Sequence, residues 1–344
     1  MIDAVTIVLC SVFMALPLLV SVIILIYGKM KLKRALETVE FYPPEGFSPI
    51  DVMTEYYARH SKPKGLINPL MLYWAENGYI KIEDDCRRGL KLTKLKELEP
   101  PRNADAERLE TFNLERRLFK NIFDGKVFYT LTARSAYKED CDKFVKSVSA
   151  EAKKVTISKW ALIEGLLSAF SVVSVIFSSF MLWLALEETM FLVMLFPIAA
   201  LVALRFVPLG VFKYLFFALW GGAPAIAVLF NVPAAAAIII VCSLLCSFLT
   251  QYVVLPFVDL RRPQNLKTYA RLKGFKTFLV KAEKPQLEML VEENPNYYFD
   301  ILPYCYVLNI TKKVREKFDK IRLDGPAPYL ADSDFGDYRD RLMF

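Results

Sequence analysis

The sequence predicts an α-helical integral membrane protein of about five transmembrane helices, with a cytoplasmic α+β winged-helix-like domain and a helical cytoplasmic tail. Three observations predict it. Of 344 residues, 55% are hydrophobic and yet 24% are charged, so the two characters must be segregated along the chain. Several apolar runs approach or exceed the roughly 20 residues a helix needs to cross a ~30 Å hydrocarbon core. The cationic residues flank those runs on alternate sides, the pattern expected when basic loops stay inside.

The first run, Ala4 to Tyr27, is broken only by Thr6, Ser11, Pro17 and Ser21. Asp3 precedes it, and Lys29, Lys31, Lys33 and Arg34 follow it. A signal peptide has a basic start and a shorter core, so this run reads as an uncleaved anchor with its N-terminus outside. Further runs cover Ala161–Leu186, Thr189–Leu204, Val211–Phe230 and Ala234–Phe257. The second of these is short and carries Pro197, which leaves a re-entrant path open. Asp3, Glu187, Glu188 and Asn231 fall on one side. The cluster at 29–34, Arg205, Lys213 and the group from Arg261 to Lys273 fall on the other. The division is then an anchor at 1–28, a cytoplasmic region at 29–160, a membrane cluster at 161–257 and a cytoplasmic tail at 258–344. A net charge of +7 fits inward loops beside anionic lipid and is weak evidence for nucleic acid.

In the first polar region, Ser48-Pro49 opens a helix to about His60, because serine caps free amides and proline fits a first turn. Asn68-Pro69 opens a second helix, which Gly78 stops. The alternation Tyr79–Glu83, a Gly-containing turn and Leu90–Leu95 read as a β-hairpin. Two helices followed by a hairpin is the order of a winged helix. Asn103–Phe123 is an amphipathic helix with Leu109, Phe112, Phe119 and Ile122 on one side. Val127–Leu131 is extended, and Tyr137, Cys141, Phe144, Val148, Ala152 and Val155 mark another amphipathic helix. In the tail, Leu266–Lys284 is basic and amphipathic, and it suits either the inner membrane surface or the first polar region. The aromatic run Tyr297–Leu308 is too apolar for water, so the tail is expected to dock on the first region.

Several strings resemble a known family. Phe41-Tyr42-Pro43-Pro44-Glu45-Gly46, Asn77–Glu83 with its hairpin, Gly274–Leu279, Ala282-Glu283-Lys284, Asn294-Pro295 and Leu302-Pro303-Tyr304 occur in the order seen in bacterial predicted membrane proteins with domain of unknown function 2207. The resemblance runs from Phe41 to the end. Cys305 stands where the family usually has alanine, and Asn309 stands near a usual glycine. The family's large extracytoplasmic domain and Gly-rich tail have no counterpart here, so the resemblance implies either a short form or the C-terminal half of a longer protein. The resemblance implies architecture and carries no activity.

No phosphate loop, HExxH or paired Cys/His is present, so no catalytic, cofactor or metal residues are expected. The six cysteines form no CxxC pair and read as reduced packing residues. Lys29, Lys31, Lys33, Arg34, Arg261 and Arg262 are expected at lipid headgroups. Arg87, Arg88 and Lys91 give the hairpin a basic surface for lipid or a protein. Ser168, Ser171, Ser174 and Ser178 share one helix face, as small residues do where helices approach closely. The second helix, Asn68 to Asn77, lacks Lys and Arg, which argues against specific nucleic acid as a partner. The sequence therefore points to a scaffold or regulatory protein of the bacterial cytoplasmic membrane, partnered by the bilayer and by a protein or a second copy. A transporter or channel subunit is the alternative, and a tethered DNA-binding regulator ranks third.

Overall fold

The computed structural model describes residues 3–35, 38–61, 65–85, 89–101, 105–125, 127–129, 138–156, 159–186, 195–206, 215, 219, 221–223, 226, 230–319 and 321. The chain forms two compact units, Met1–Lys33 with Ser158–Leu260, and Arg34–Ile157 with Arg261–Phe344.

The first unit is helical. It contains α1 (Ala4–Arg34), then α6 (Trp160–Leu186), α7 (Leu195–Phe206) and α8 (Ala234–Phe248). Three stretches, Ala4–Arg34, Trp160–Leu184 and Ala234–Phe257, are long and apolar enough to cross a membrane, with mean hydropathies of 2.8, 2.0 and 2.3. The expected runs at Thr189–Leu204 and Val211–Phe230 lie partly or mostly outside the described residues. The last stretch is not a uniform α-helix. It widens to a π-helix over Leu249–Val254 and tightens to a 3-10 turn at Leu255–Phe257, where Pro256 offers no amide. On α1, Phe13 stacks on Phe177 of α6 at 4.3 Å between ring centroids.

The second unit is α+β, built from chain on both sides of the membrane cluster. Its first segment holds α2 (Pro49–Tyr57), α3 (Ile67–Glu76), β1 (Ile80–Asp85), β2 (Gly89–Lys94), α4 (Ala106–Ile122), β3 (Val127–Tyr129) and α5 (Lys138–Lys154). Its second holds α9 (Pro263–Lys281), α10 (Lys284–Glu293), α11 (Tyr297–Val307) and α12 (Thr311–Phe318). The strands form an antiparallel sheet in the order β1-β2-β3, with Ile82 opposite Leu92 and Leu92 opposite Phe128. Ile80, Ile82, Leu90 and Leu92 bury one face, as strand alternation requires. Gly78 takes φ +67° between α3 and β1, a conformation that glycine adopts without steric cost.

The apolar faces of both segments close one core. Leu272, Phe275 and Leu279 of α9, with Ala282 just beyond it, join Ile50, Leu70, Trp74 and Phe119 in it. The basic amphipathic helix of the tail is therefore a core helix of this unit. The aromatic run is spent the same way, with Tyr297, Tyr298, Phe299, Ile301, Leu302, Tyr304 and Leu308 all buried. Helix α11 packs on α3 and α2.

Candidate functional site

The segment Glu40–Phe47 straps across the tail helices. Glu40 pairs with Arg271 at 2.8 Å, Phe41 meets Phe278 edge-on at 4.8 Å, and Tyr42 meets Tyr297 at 5.1 Å. The hydroxyls of Tyr297 and Tyr304 donate to the carbonyls of Phe41 and Phe47, both at 2.8 Å. The strap runs into α2. There the Ser48 amide donates to the Asp51 carboxylate at 3.0 Å, closing a capping box, and Thr111 of α4 donates its hydroxyl to the same carboxylate.

Beside this corner lies a half-open cavity of about 160 Å³, lined by Ser48, Asp51, Tyr73, Tyr79, Phe112 and Glu115 among others. Roughly 10–15 Å³ holds one water, so the space is generous. Asp51 and Glu115 are fully buried carboxyls, 5% and 2% exposed. Trp74 donates its indole N–H to Glu115 at 2.7 Å. Burial pushes the Glu115 carboxyl up to about 7, the Trp74 bond opposes the rise, and the Asp51 charge adds to it. Asp51 is raised by burial too, against the bonds from Thr111 and Ser48 and the nearby Arg108 charge. Next to them, Glu55 is lifted to about 7 by burial, while Asn265 donates to it at 2.9 Å. Arrayed this way, two carboxyls and two phenols face a space that accepts hydrogen-bond donors and, on ionisation, positive charge.

Sequence reasoning passed over Asp51 and Glu115, although a signal existed. Glu115 lies three residues after Phe112 and four before Phe119, on the apolar stripe of α4. An acid on a buried stripe needs a partner, and Trp74 is that partner. Asp51 follows the Ser48-Pro49 helix start by the interval of a capping box.

The residues singled out in the sequence are placed as follows. Lys29, Lys33 and Arg34 are exposed at the end of α1, and Lys31 is half-buried. The headgroup reading of Arg261 is corrected. This side chain is 3% exposed, donates to the carbonyls of Glu55 and Tyr56, and lies 4.1 Å from the Tyr269 ring centroid. Its guanidinium satisfies the end of α2, where helical carbonyls lack partners. Arg262 is half-buried and pairs with Glu107 at 2.6 Å. Arg87 and Arg88 lie outside the described residues, and Lys91 pairs with Glu83 at 3.0 Å. Ser168, Ser171, Ser174 and Ser178 are buried, and α6 packs on α8. Ser247 donates to Ser171 at 3.2 Å, Ser168 donates to Gln251 at 3.2 Å, and Gln251 donates to Ser247 at 3.1 Å. Among the described residues, no group of three or more His, Cys, Asp or Glu is placed to hold a metal.

The profile of the family described as predicted membrane protein (DUF2207) C-terminal domain matches residues 38–318. The chain belongs to this DUF2207 family. No curated protein and no solved structure matches it. The matched range opens at the strap and closes at the end of α12, so the family's extent includes the whole described second unit apart from its outermost residues. Two of the strings that carry the resemblance reach the cavity, through Gly46 and Tyr79.

Proposed function

We propose that this DUF2207 member is a membrane-anchored interaction or regulatory protein with no catalysis of its own. On this reading five spans place the N-terminus outside, with the second unit in the bacterial cytoplasm as a winged-helix-like module. Lys29, Lys31, Lys33 and Arg34 then meet anionic headgroups on the inner face. The observation that carries the reading is the burial of α3 beneath α11. Seven of the ten residues of α3 are buried, among them Leu70, Met71 and Trp74. A winged helix that reads DNA must offer its second helix to the major groove. Here the chain's own tail occupies that helix, and the helix carries no cation. The module is left with its outer surfaces, which suit protein partners.

The test is a photo-crosslinking residue at Leu95, which is 59% exposed at the end of β2, in the full chain in intact cells. A discrete soluble protein should be captured there. Tight capture of one DNA sequence over competitor DNA would instead promote the tethered regulator. Topology is checked by fusing a reporter active only in the cytoplasm. It should work after Lys94 or Phe344 and fail between Glu187 and Thr189.

Transport is a second reading, favoured by one observation: Gln251 is buried within a π-helical turn of an apolar stretch and bonded to serines. Such turns recur at functional sites.

A further inference from the structure

We propose that the cavity between α2, α3 and α4 is a binding site for a small organic cation, a primary ammonium on a short aliphatic chain. The walls supply what such a ligand needs and leave little for others. Asp51 and Glu115 are the cavity's buried carboxyls, and Tyr73, Tyr79 and Phe112 present aromatic surface. Leu98, Pro100 and Pro101 add aliphatic surface. Carboxylates attract the ammonium head, aromatic faces attract it through their quadrupoles, and apolar walls take the methylenes. Among the described lining residues there is no Lys, Arg or His, and the nearby Arg108 guanidinium is held by the Gly46 carbonyl and the Phe47 ring.

Neighbouring cations already use part of the cavity wall, Lys96 on the Tyr79 ring and Arg108 on the Gly46 carbonyl. Lys96 lies over the Tyr79 ring at 4.5 Å, and Arg108 lies over Phe47 at 4.6 Å. Exposed Glu99 also lines the cavity and adds negative charge to its wall. A bare metal ion fits less well. Asp51 spends one carboxylate oxygen on the Ser48 amide and the other on Thr111, and hard cations require several free oxygens converging on one point. An ammonium needs only two or three acceptors, and Glu115, whose oxygens accept from Trp74 and Ser48 but keep second lone pairs, supplies them with the Tyr73 and Tyr79 hydroxyls. The site stands independently of any protein partner.

The geometry also sets a proton signature. A carboxyl that burial holds near 7 is largely protonated below neutrality, and an arriving cation drives it to ionise. Binding should therefore release a proton at about neutral pH.

The experiment is titration calorimetry on the full chain in detergent. Its probes are n-butylammonium and 1,4-diaminobutane, with 1-butanol as the neutral control. Repeating it in two buffers of different ionisation enthalpy reads the released proton. Saturable heat with an amine, no heat with 1-butanol, and proton release at pH 7 are expected. Glu115→Gln keeps an acceptor for Trp74 and should weaken binding tenfold or more. Glu99→Gln, at an exposed position, should weaken it two- to threefold. If Glu115→Gln fails to fold, Tyr73→Phe removes a single hydroxyl and should still weaken binding severalfold. Equal binding of 1-butanol, amine binding without proton release, or no saturable heat with either amine overturns the proposal.

Discussion

Asn309 follows the end of α11 at φ +55°, in the left-handed region where a side chain is tolerated poorly. It stands near the position where the family resemblance expects glycine, and asparagine is the residue that best substitutes there. Asn309→Gly should therefore fold with unchanged or slightly higher stability, whereas Asn309→Val should lose about 1–2 kcal/mol, read as a lower thermal midpoint. Lys317 shows what the sequence hid at this scale. It donates to the carbonyls of Leu279, Val280 and Ala282 at 3.1, 2.7 and 2.8 Å, satisfying the end of α9 from another helix. Nothing in the local pattern around Lys317 distinguishes it from a solvated lysine. Arg261 misled for the same reason. A cation just past an apolar run matches a headgroup contact by position, and only tertiary packing reveals that it turns inward to the α2 carbonyls. Glu115 was passed over although its signal was present, because an acid on the apolar stripe of α4 contradicts the stripe unless something buried bonds it.

Elements were read more easily than residues, because period carries over a whole segment while a single partner does not. The spacing of Phe144, Val148, Ala152 and Val155 marked the buried face of α5, and Leu272, Phe275 and Leu279 marked that of α9. What α9 lies against was not legible, since an apolar face with flanking lysines suits a lipid surface and a protein core equally. Gly274 decides how close its neighbour comes. A Cβ there would sit 1.7 Å from the Thr38 carbonyl oxygen, so Gly274→Ala must push the strap off α9. That variant should lose the strap's contacts and become cleavable between Thr38 and Phe47, with a cost of a few kcal/mol. The widened turn at Leu249–Val254 was equally hidden, because a register slip within an apolar run leaves no period to read. Gln251 there holds α6 to the last stretch through Ser168 and Ser247. If its role is packing alone, Gln251→Leu should lower the thermal midpoint in detergent by only a few degrees and leave solute fluxes of vesicles unaltered. A changed flux with intact folding would move transport ahead of the interaction reading.

At the scale of the molecule, the second unit buries acids that the unfolded chain leaves in water, and this fixes its response to pH. Burial raises Asp51, Glu55 and Glu115, the last two to about 7. Glu76 is raised as well, by burial and by Asp300 beside it. Between the ordinary carboxylate range and about 7, the folded state holds protons that the unfolded state has released. Stability therefore falls as pH rises through that window. Exposed acids such as Glu83 and Glu97, lowered by lysine partners, act oppositely and only in stronger acid. The thermal midpoint should be higher at pH 5.5 than at pH 8, and Glu115→Gln should flatten the difference. The same unit also yields the most demanding prediction, because its core draws on both ends of the chain. Tyr297, Phe299, Ile301, Leu302 and Leu308 are each 6% exposed or less, and α11 lies on α3 and α2. Each such side chain contributes about 1.5–3 kcal/mol when buried, an upper estimate. Their sum is comparable to the ~5–15 kcal/mol that holds a typical domain folded. Deleting Asn294–Phe344 should therefore do more than remove a tail. Leu70, Met71 and Trp74 of α3 lose their cover, the strap loses Tyr297 and Tyr304, and the segment 34–157 should open to limited proteolysis in membranes. The spans should still insert, since their apolar length is untouched. Unchanged protease sensitivity of 34–157 after the deletion would mean that its core closes without the tail, and the shared-core account of this unit would then have to be abandoned.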